Sequence, residues 1–303
     1  MSDAPEQSTR CGFVALVGAP NAGKSTLLNR LVGSKVSIVT PKVQTTRSRV
    51  TGICIAGRSQ LVFVDTPGIF APRRRLDRAM VEAAWSGARD ADIVVVLVDA
   101  KRGVDADVRR IVDGLEKSGH RALLALNKID RVKPAALLPL AAELDASGVF
   151  SDTFMISALT GDGVGDLRDF LAAHVPAGPW LYPEDQLSDM PLRLLAAEVT
   201  REQLFLQLHQ ELPYALTVET ESWQERDDGS LRIDQVVYLQ RDSHKPMVLG
   251  KGGRRVKEVG SAARRELETL LERRVHLFLH VKVAPKWADD PERYRDLGLE
   301  FPR

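Results

Sequence analysis

One run of residues has the composition and spacing to hold a polyphosphate. The segment 18–25 reads GAPNAGKS, matches the pattern G-x-x-x-x-G-K-[ST] and follows the apolar run Phe13 to Val17. Glycines let backbone N–H groups close around phosphates, and a helix beginning near Ser25 adds its positive dipole end. Lys24 can reach the β and γ phosphates, while the Ser25 hydroxyl can ligate Mg²⁺. The candidate cofactor-binding residues here are Gly18, Asn21, Gly23, Lys24, Ser25 and Thr26.

A carboxylate suited to the same metal ion follows a second apolar run. Asp65-Thr-Pro-Gly68 comes directly after Leu61 to Val64. Ligands of open α/β sheets bind at the carboxyl ends of the strands, so we expect this motif beside the phosphate loop. Asp65 can then hold the magnesium shell, and the N–H of Gly68 can approach the γ-phosphate.

The segment Asn127-Lys128-Ile-Asp130 selects the base. It follows the apolar run Ala122 to Leu126. A carboxylate such as that of Asp130 accepts hydrogen bonds from N1–H and N2–H₂ of guanine, whereas adenine presents an acceptor there. The motif therefore predicts GTP and GDP rather than ATP. A backbone N–H of Ser157 or Ala158, after the last apolar run, is expected to support the base edge.

The polar segment 44–47 (QTTR) shows no periodicity and is predicted to be a loop. A threonine in such a loop can ligate Mg²⁺ only while the γ-phosphate orders the loop, which is the usual basis of a nucleotide switch. Taken alone, these residues also fit an ordinary loop rich in hydroxyl groups. We predict metal ligands at Ser25 and Asp65, joined by a threonine of this loop.

The elements that must position these motifs are predicted from short apolar runs. Runs that are apolar throughout suit strands buried on both faces of a mostly parallel sheet with flanking helices. The five predicted strands are Phe13 to Val17, Leu61 to Val64, Ile93 to Val98, Ala122 to Leu126 and Phe154 to Ile156. A stretch rich in proline then separates this α/β domain from an α+β pattern. That pattern has helices over Leu192 to Leu212 and Ser261 to Arg274, and strands over Tyr214 to Trp223, Arg232 to Leu239 and Val275 to Val283.

The net charge of +1 hides a segregation of charge. Segment 241–286 contains twelve Lys and Arg against five acidic residues, a net +7, so the remainder carries −6. Within this segment a G-x-x-G loop is surrounded by cations, which favours RNA binding over a merely solvated basic face because glycines admit phosphates closely. The candidate RNA-binding residues are Gly250, Lys251, Gly252, Gly253, Arg254, Arg255 and Lys257.

Taken together, these motifs resemble those of the Era-like GTPases, and the second domain resembles a type II KH domain. The resemblance implies a slow GTPase in which Lys24, Thr46 and Gly68 act catalytically and Thr46 is the switch threonine. It also implies binding of single-stranded RNA near the 3′ end of small-subunit (16S) ribosomal RNA and a role in assembly of the small ribosomal subunit. Ile69 replaces the glutamine that orients water in Ras-like enzymes. Whether K⁺ held through Asn21 assists stays open.

The remaining expectations concern organisation and location. We predict a flexible N-terminus (1–10), a GTPase domain (11–176), a linker (177–191) and a KH domain with a C-terminal tail (192–303). No apolar run approaches the length that spans a bilayer, and the first ten residues lack a signal-peptide core. A cytoplasmic monomer is expected. A peripheral association with the inner membrane face, and a second domain that docks a protein or membrane partner, are the alternatives.

Overall fold

The computed structural model describes residues 8–42, 45–47, 49–208 and 212–302. The chain divides into two compact units. The first unit comprises Met1–Ser37, Thr46–Asp189 and Leu297–Arg303, and the second comprises Ile38–Thr45 and Met190–Asp296. The predicted boundaries differ in three places: residues 38–45 group with the second unit, the predicted linker groups with the first unit up to Asp189, and the tail from residue 297 groups with the first.

The first unit is a six-stranded sheet with helices between its strands. The strands are β1 (Arg10–Gly18), β2 (Val50–Ala56), β3 (Ser59–Asp65), β4 (Ile93–Asp99), β5 (Ala122–Asn127) and β6 (Phe150–Ile156). The helices are α1 (Lys24–Val32), α2 (Arg75–Arg89), α3 (Ala106–Ser118), α4 (Leu137–Asp145) and α5 (Val164–His174). The strand order is β2-β3-β1-β4-β5-β6, and every pairing is parallel except that of β2 with β3.

The five predicted strands are confirmed, and their apolar character has the expected cause. β3 and β5 are buried along their whole length, and β1 and β4 are buried except near their ends. Parallel pairing brings the carboxyl ends of β1, β3, β4 and β5 to one edge of the sheet, where three of the predicted motifs begin. The antiparallel strand β2 was not predicted.

The start of the chain also differs from the prediction. Residues 1–7, most of the predicted flexible N-terminus, lie outside the described residues. Arg10 already belongs to β1, and its backbone N–H donates to the carbonyl of Arg58 at 3.1 Å. Thr9 Oγ1 donates to the carbonyl of Gly178 at 2.9 Å. The described contacts of the first unit therefore begin before residue 11.

The second unit has the α+β order that the sequence predicted. Its elements are α6 (Leu192–Gln207), β7 (Leu216–Glu225), β8 (Leu231–Leu239), α7 (Lys245–Leu249), α8 (Arg254–Leu271), β9 (Val275–Val283) and α9 (Pro291–Asp296). β8 is the central strand, antiparallel to β7 and parallel to β9. Buried apolar residues of α6 and α8 form two core clusters with the strands. Several predicted bounds were wrong: α6 ends at Gln207 rather than Leu212, α8 spans Arg254–Leu271 rather than Ser261 to Arg274, and β7 spans Leu216–Glu225 rather than Tyr214 to Trp223.

Among the described residues, no helix combines the length and the apolar character that crossing a membrane requires.

Candidate nucleotide site and nucleic-acid loop

The phosphate loop lies where the pattern predicted, between the end of β1 at Gly18 and the start of α1 at Lys24. Gly23 has φ +103°, and a Cβ there would lie 2.3 Å from Nδ2 of Asn127, so only glycine fits. Asn21 also has a positive φ, of 63°, which is uncommon for a residue with a side chain. Backbone conformations of this kind concentrate at functional sites. Thr26 is half-buried in the first turn of α1.

Lys24 is buried beneath this loop. Its Nζ donates to the carbonyls of Gly18 at 3.1 Å and Ala19 at 3.2 Å. Burial lowers the pKa of Lys24 from 10.5 to about 8, against the opposing effect of Asp65. The ammonium group is thus held by weak acceptors in a poorly solvated place. A bound phosphate group would add negative charge beside this ammonium group.

The three predicted metal ligands are brought together around one carboxylate. Asp65 is fully buried, and its Oδ2 accepts from Ser25 Oγ at 2.7 Å and Thr46 Oγ1 at 3.3 Å. The two hydroxyl oxygens lie 3.0 Å apart. Burial raises the pKa of Asp65, while Lys24 and the hydroxyl donors lower it. The structure therefore assembles the predicted cluster from the phosphate loop, the 46 position and the end of β3.

This cluster fits a magnesium ion. Asp65 Oδ1 is buried and has no hydrogen-bond partner, so one carboxylate oxygen is available beside two hydroxyl groups. Mg²⁺ prefers oxygen ligands and is usually held by one or two carboxylates together with substrate phosphates. Elsewhere among the described residues, no cluster of three or more His, Cys, Asp or Glu side chains could hold a metal ion.

A third hydroxyl belongs to the cluster and was missed from the sequence. Ser37 Oγ donates to Asp65 Oδ2 at 3.1 Å. Its place is fixed by Asn29 of α1, whose Oδ1 accepts from the N–H groups of Val36 and Ser37, both at 2.9 Å. Asn29 Nδ2 also donates to the Ser37 carbonyl at 2.7 Å. No local motif marks Asn29 or Ser37, because their role arises from contacts between a helix and the loop that follows it.

Gly68 and Ile69 follow the buried Asp65-Thr66 pair. A Cβ at Gly68 would lie 2.9 Å from the backbone nitrogen of Pro20, so glycine allows close approach to the phosphate loop. Ile69 is fully buried in the apolar core, and its N–H donates to the Gly18 carbonyl at 3.1 Å. The position that carries a glutamine in Ras-like enzymes is therefore occupied here by a core residue. Its side chain cannot polarise water.

One amide side chain connects the loops of the base site. Asn127 Nδ2 donates to the carbonyl of Ala22 at 2.8 Å, and its Oδ1 accepts from the N–H groups of Lys128 at 2.8 Å and Ala158 at 2.9 Å. Lys128 has φ 67° and donates from Nζ to the Asn21 carbonyl at 2.6 Å and to Asp99 at 2.7 Å. Asn127 and Lys128 thus join the phosphate loop to the ends of β4, β5 and β6.

Asp130 is exposed, and its Oδ1 accepts from Ser157 Oγ at 2.6 Å. Its carboxylate is thereby oriented and still has capacity to accept from a base. The two candidate backbone donors have partners within the protein. Ser157 N–H donates to Asp162 at 2.9 Å and Ala158 N–H donates to Asn127, so both groups bond within the protein. In this structure they order the loop instead of facing a base.

The second unit presents the predicted G-x-x-G loop between α7 and α8. Gly250, Gly252 and Gly253 all have positive φ, of 72°, 60° and 75°. Lys251, Arg254 and Lys257 are exposed beside them, and Arg254 forms an ion pair with Glu258 at 2.9 Å. Arg255 is half-buried and donates to the Met247 carbonyl at 2.9 Å. Arg255 therefore supports the loop.

Gln44, part of the predicted switch loop, lies outside the described residues.

Comparison with known proteins agrees with this arrangement. A family model described as a 50S ribosome-binding GTPase matches residues 13–128, and a KH domain model matches residues 211–288. GTPase Era of Rhizobium meliloti (strain 1021) is 60% identical over 295 residues, which span 97% of this chain and 94% of the relative. GTPase Era of Bradyrhizobium sp. (strain ORS 278) is 58% identical over 300 residues, which span 99% of this chain and 98% of the relative.

Two solved structures are similar over both units. One is Era of Aquifex aeolicus, in a single-residue variant bound to GDP·AlF₄⁻, and the other is Era in complex with MgGDPNP and nucleotides 1506–1542 of 16S ribosomal RNA. Each has a TM-score of 0.91 and 39% identity, and the match spans 96% of this chain and 99% of the other. These relatives therefore match nearly the whole chain, across both units. The chain belongs to the Era family of GTPases.

Proposed function

We propose that the chain binds and hydrolyses GTP in its first unit and binds the 3′ region of small-subunit ribosomal RNA through its second unit. The observation that carries the first part is the cluster of Ser25, Thr46 and Asp65 beside the buried Lys24. These side chains surround the place where a γ-phosphate and its magnesium ion would sit. The proposal extends to assembly of the small ribosomal subunit and to a cytoplasmic location.

The chain's own residues have distinct parts in the reaction. Lys24 binds and neutralises the β and γ phosphates, and Asp130 selects guanine. The Thr46 hydroxyl makes the site sensitive to the γ-phosphate. It lies beside Ser25 and Asp65, where it can ligate Mg²⁺ only while the γ-phosphate orders the loop. A bound Mg²⁺ supplies positive charge that stabilises the phosphate oxygens during transfer.

Hydrolysis is expected to be slow. Ile69 is buried in the core, so this position does not orient the attacking water as glutamine does in Ras-like enzymes. A potassium ion held through Asn21 is a further proposal, and it requires faster hydrolysis in K⁺ than in Na⁺ at equal ionic strength. Equal rates in the two salts would remove K⁺ from the mechanism.

For the second unit, the support is the G-x-x-G loop with exposed Lys251, Arg254 and Lys257. Three backbone positions in the left-handed region hold the loop open without side chains, so phosphates can approach closely. The solved Era complex contains nucleotides 1506–1542 of 16S ribosomal RNA, which makes this RNA the natural probe.

The test is the affinity of the full chain for that RNA, measured with a non-hydrolysable GTP analogue and with GDP. Charge reversal in the double variant Lys251→Glu/Arg254→Glu is expected to weaken binding at least tenfold. It should also reduce the slope of log affinity against log salt by about 1.4, as expected for two lost contacts to single-stranded phosphates. The matched control is Arg264→Glu/Arg265→Glu, which makes the same charge change about 15 Å along α8.

Two outcomes would speak against an RNA site at the G-x-x-G loop. Equal weakening by both double variants would indicate nonspecific attraction to a basic helix rather than a site at the G-x-x-G loop. Unchanged RNA binding in the Lys251→Glu/Arg254→Glu variant would favour the alternative, in which the second unit docks a protein or membrane partner.

A further inference from the structure

The turn that closes the base site, residues 157–161, is bonded within itself. The N–H of Gly161 donates to the Ser157 carbonyl at 2.8 Å, and the N–H of Thr160 donates to Ser157 Oγ at 3.2 Å. Gly161 has φ +101°, a conformation that favours glycine. These bonds tie the residues of the turn together, so a contact made at one residue limits where the others can lie.

The start of this turn carries the contacts that set the base site. Ser157 Oγ donates to Asp130 Oδ1 at 2.6 Å, and the N–H of Ala158 donates to Asn127 Oδ1 at 2.9 Å. Asp130 is exposed, whereas Ser157 and Ala158 are buried. The orientation of the exposed carboxylate is therefore set by a hydroxyl whose own position depends on the turn.

Arg30, in the last turn of α1, holds the turn 157–161 through its carbonyl groups. Its Nε donates to the Ala158 carbonyl at 3.3 Å, and its Nη2 donates to the Leu159 carbonyl. A guanidinium group presents its donors in one rigid plane, so bonds to two neighbouring carbonyls fix both peptide groups at once. Gly161 lies near the same group, since a Cβ at Gly161 would be 3.8 Å from Nη1. Arg30 and the turn both belong to the first unit.

A simpler role for Arg30 would be that of a cation at the carboxyl end of α1, where the helix dipole favours positive charge. The observed contacts go beyond that role, because both acceptors belong to the turn of the base site, 128 and 129 positions away along the chain. The same helix begins with Lys24 and Ser25 of the phosphate site. Its first residues thus serve the phosphate end, and one of its last contacts the base end.

We propose that Arg30 is a positioning residue for guanine recognition. It acts through the carbonyls of Ala158 and Leu159 on the turn, and through Ser157 on the carboxylate of Asp130. Without Arg30 the turn gains freedom, Asp130 accepts less well from N1–H and N2–H₂ of guanine, and selectivity for guanine falls. The inference rests on the proposed function and deepens it, because it gives base selection a residue outside the motif 127–130.

The test compares the affinity of the full chain for GDP and for IDP, whose base keeps N1–H and lacks the amino group at C2. Both affinities are measured in EDTA by competition with a fluorescent GDP, so the metal site does not contribute. Arg30→Met removes the donors and keeps an unbranched side chain that suits a helix. Arg30→Lys keeps the charge without the rigid fork. The matched control is Arg109→Met, the same change at an exposed position of α3.

We expect Arg30→Met to bind GDP roughly tenfold more weakly and IDP roughly threefold more weakly, so the preference for GDP falls roughly threefold. Arg30→Lys should lie between this variant and the wild type, and Arg109→Met should match the wild type. In an Asp130→Asn background, adding Arg30→Met should change GDP affinity by less than about twofold, because the carboxylate through which Arg30 acts is already gone.

Unchanged GDP affinity in Arg30→Met overturns the inference. Equal weakening of GDP and IDP, or a loss that is fully kept in the Asp130→Asn background, also overturns it, because either result describes a general loosening of the first unit. A preference between two ligands does not depend on the fraction of chains that is folded, so a less stable variant still decides. Failure of the proposed function looks different, because the wild-type chain itself would then bind no GDP or would not prefer GDP to IDP.

Discussion

Lys24 should give nucleotide binding a characteristic dependence on pH. In the protein alone burial lowers its pKa to about 8, and the negative charge of bound phosphates should return the pKa towards 10.5. The complex then binds more protons than the free chain above pH 8. Affinity is therefore fully developed below pH 8 and falls as the pH rises through it. The full difference between 10.5 and about 8 corresponds to roughly 3 kcal/mol.

The size of this pH effect can be measured as the number of protons that the chain takes up when the nucleotide binds. With a pKa of about 8, roughly a quarter of the free chains lack the Lys24 proton at pH 7.5 and roughly three-quarters lack it at pH 8.5. Binding should take up the same fractions of a proton. The affinity at pH 8.5 should be about fourfold below its low-pH plateau.

The assay is calorimetric titration with GDP in two buffers that differ in ionisation enthalpy. EDTA should be present, because burial raises the pKa of Asp65 and metal binding would release any proton held there. That release has the opposite sign and would mask the uptake by Lys24. Stopping at pH 8.5 also keeps the N1–H of guanine intact. Proton uptake near zero at both pH values would refute the reasoning, since it would show that Lys24 is already charged in the free chain.

Two further substitutions test the base site and the metal site. Asp130→Asn replaces the acceptor for two guanine donors by a neutral amide, so GTP affinity should fall on the order of 100-fold in competition with a fluorescent GDP. ATP affinity should not fall with it, and a parallel loss would contradict the assignment of Asp130. Asn29→Ala removes three hydrogen bonds that hold Val36 and Ser37, so the GTP analogue should need several-fold more Mg²⁺ while GDP affinity in EDTA is kept. An unchanged Mg²⁺ requirement would show that Ser37 needs no such support.

The sequence predicted the parallel strands because burial on both faces leaves an uninterrupted apolar run. β2 was missed because Thr51 and Gly52 interrupt its apolar character. Gly52 is required by packing, since a Cβ there would lie 2.5 Å from Leu28 Cδ1 of α1. The strand also lies at the sheet edge and pairs antiparallel, so the logic of buried parallel strands does not apply to it.

The start of α8 was also missed from the sequence. Gly260 lies directly before the predicted start at Ser261, yet the helix runs through it from Arg254. A Cβ at Gly260 would lie 3.4 Å from Leu279 Cδ1, an ordinary van der Waals distance, so packing against β9 does not require glycine there. A glycine that ends a helix and one that lies within it look the same in a single sequence.

The chemistry of the site was predictable where a motif keeps its members together, as in 18–25, 65–68 and 127–130. The supporting contacts were not predictable, because they join residues far apart in the chain. Ser37 reaches Asp65 across 28 positions, and Arg30 reaches Ala158 across 128. No pattern of residue types records which loop a distant arginine will hold.

Because of the amide of Asn127, nucleotide exchange should demand different changes at the base end and at the phosphate end of the site. This amide already fastens the base loop to the phosphate loop and to the turn at Ala158 through bonds within the protein. Guanine can therefore enter or leave without these loops being rebuilt. Lys24 and the hydroxyl groups around Asp65, by contrast, must exchange protein partners for phosphate and metal. The slow step of exchange should accordingly lie at the phosphate end, and a factor that accelerates it needs to loosen that end alone.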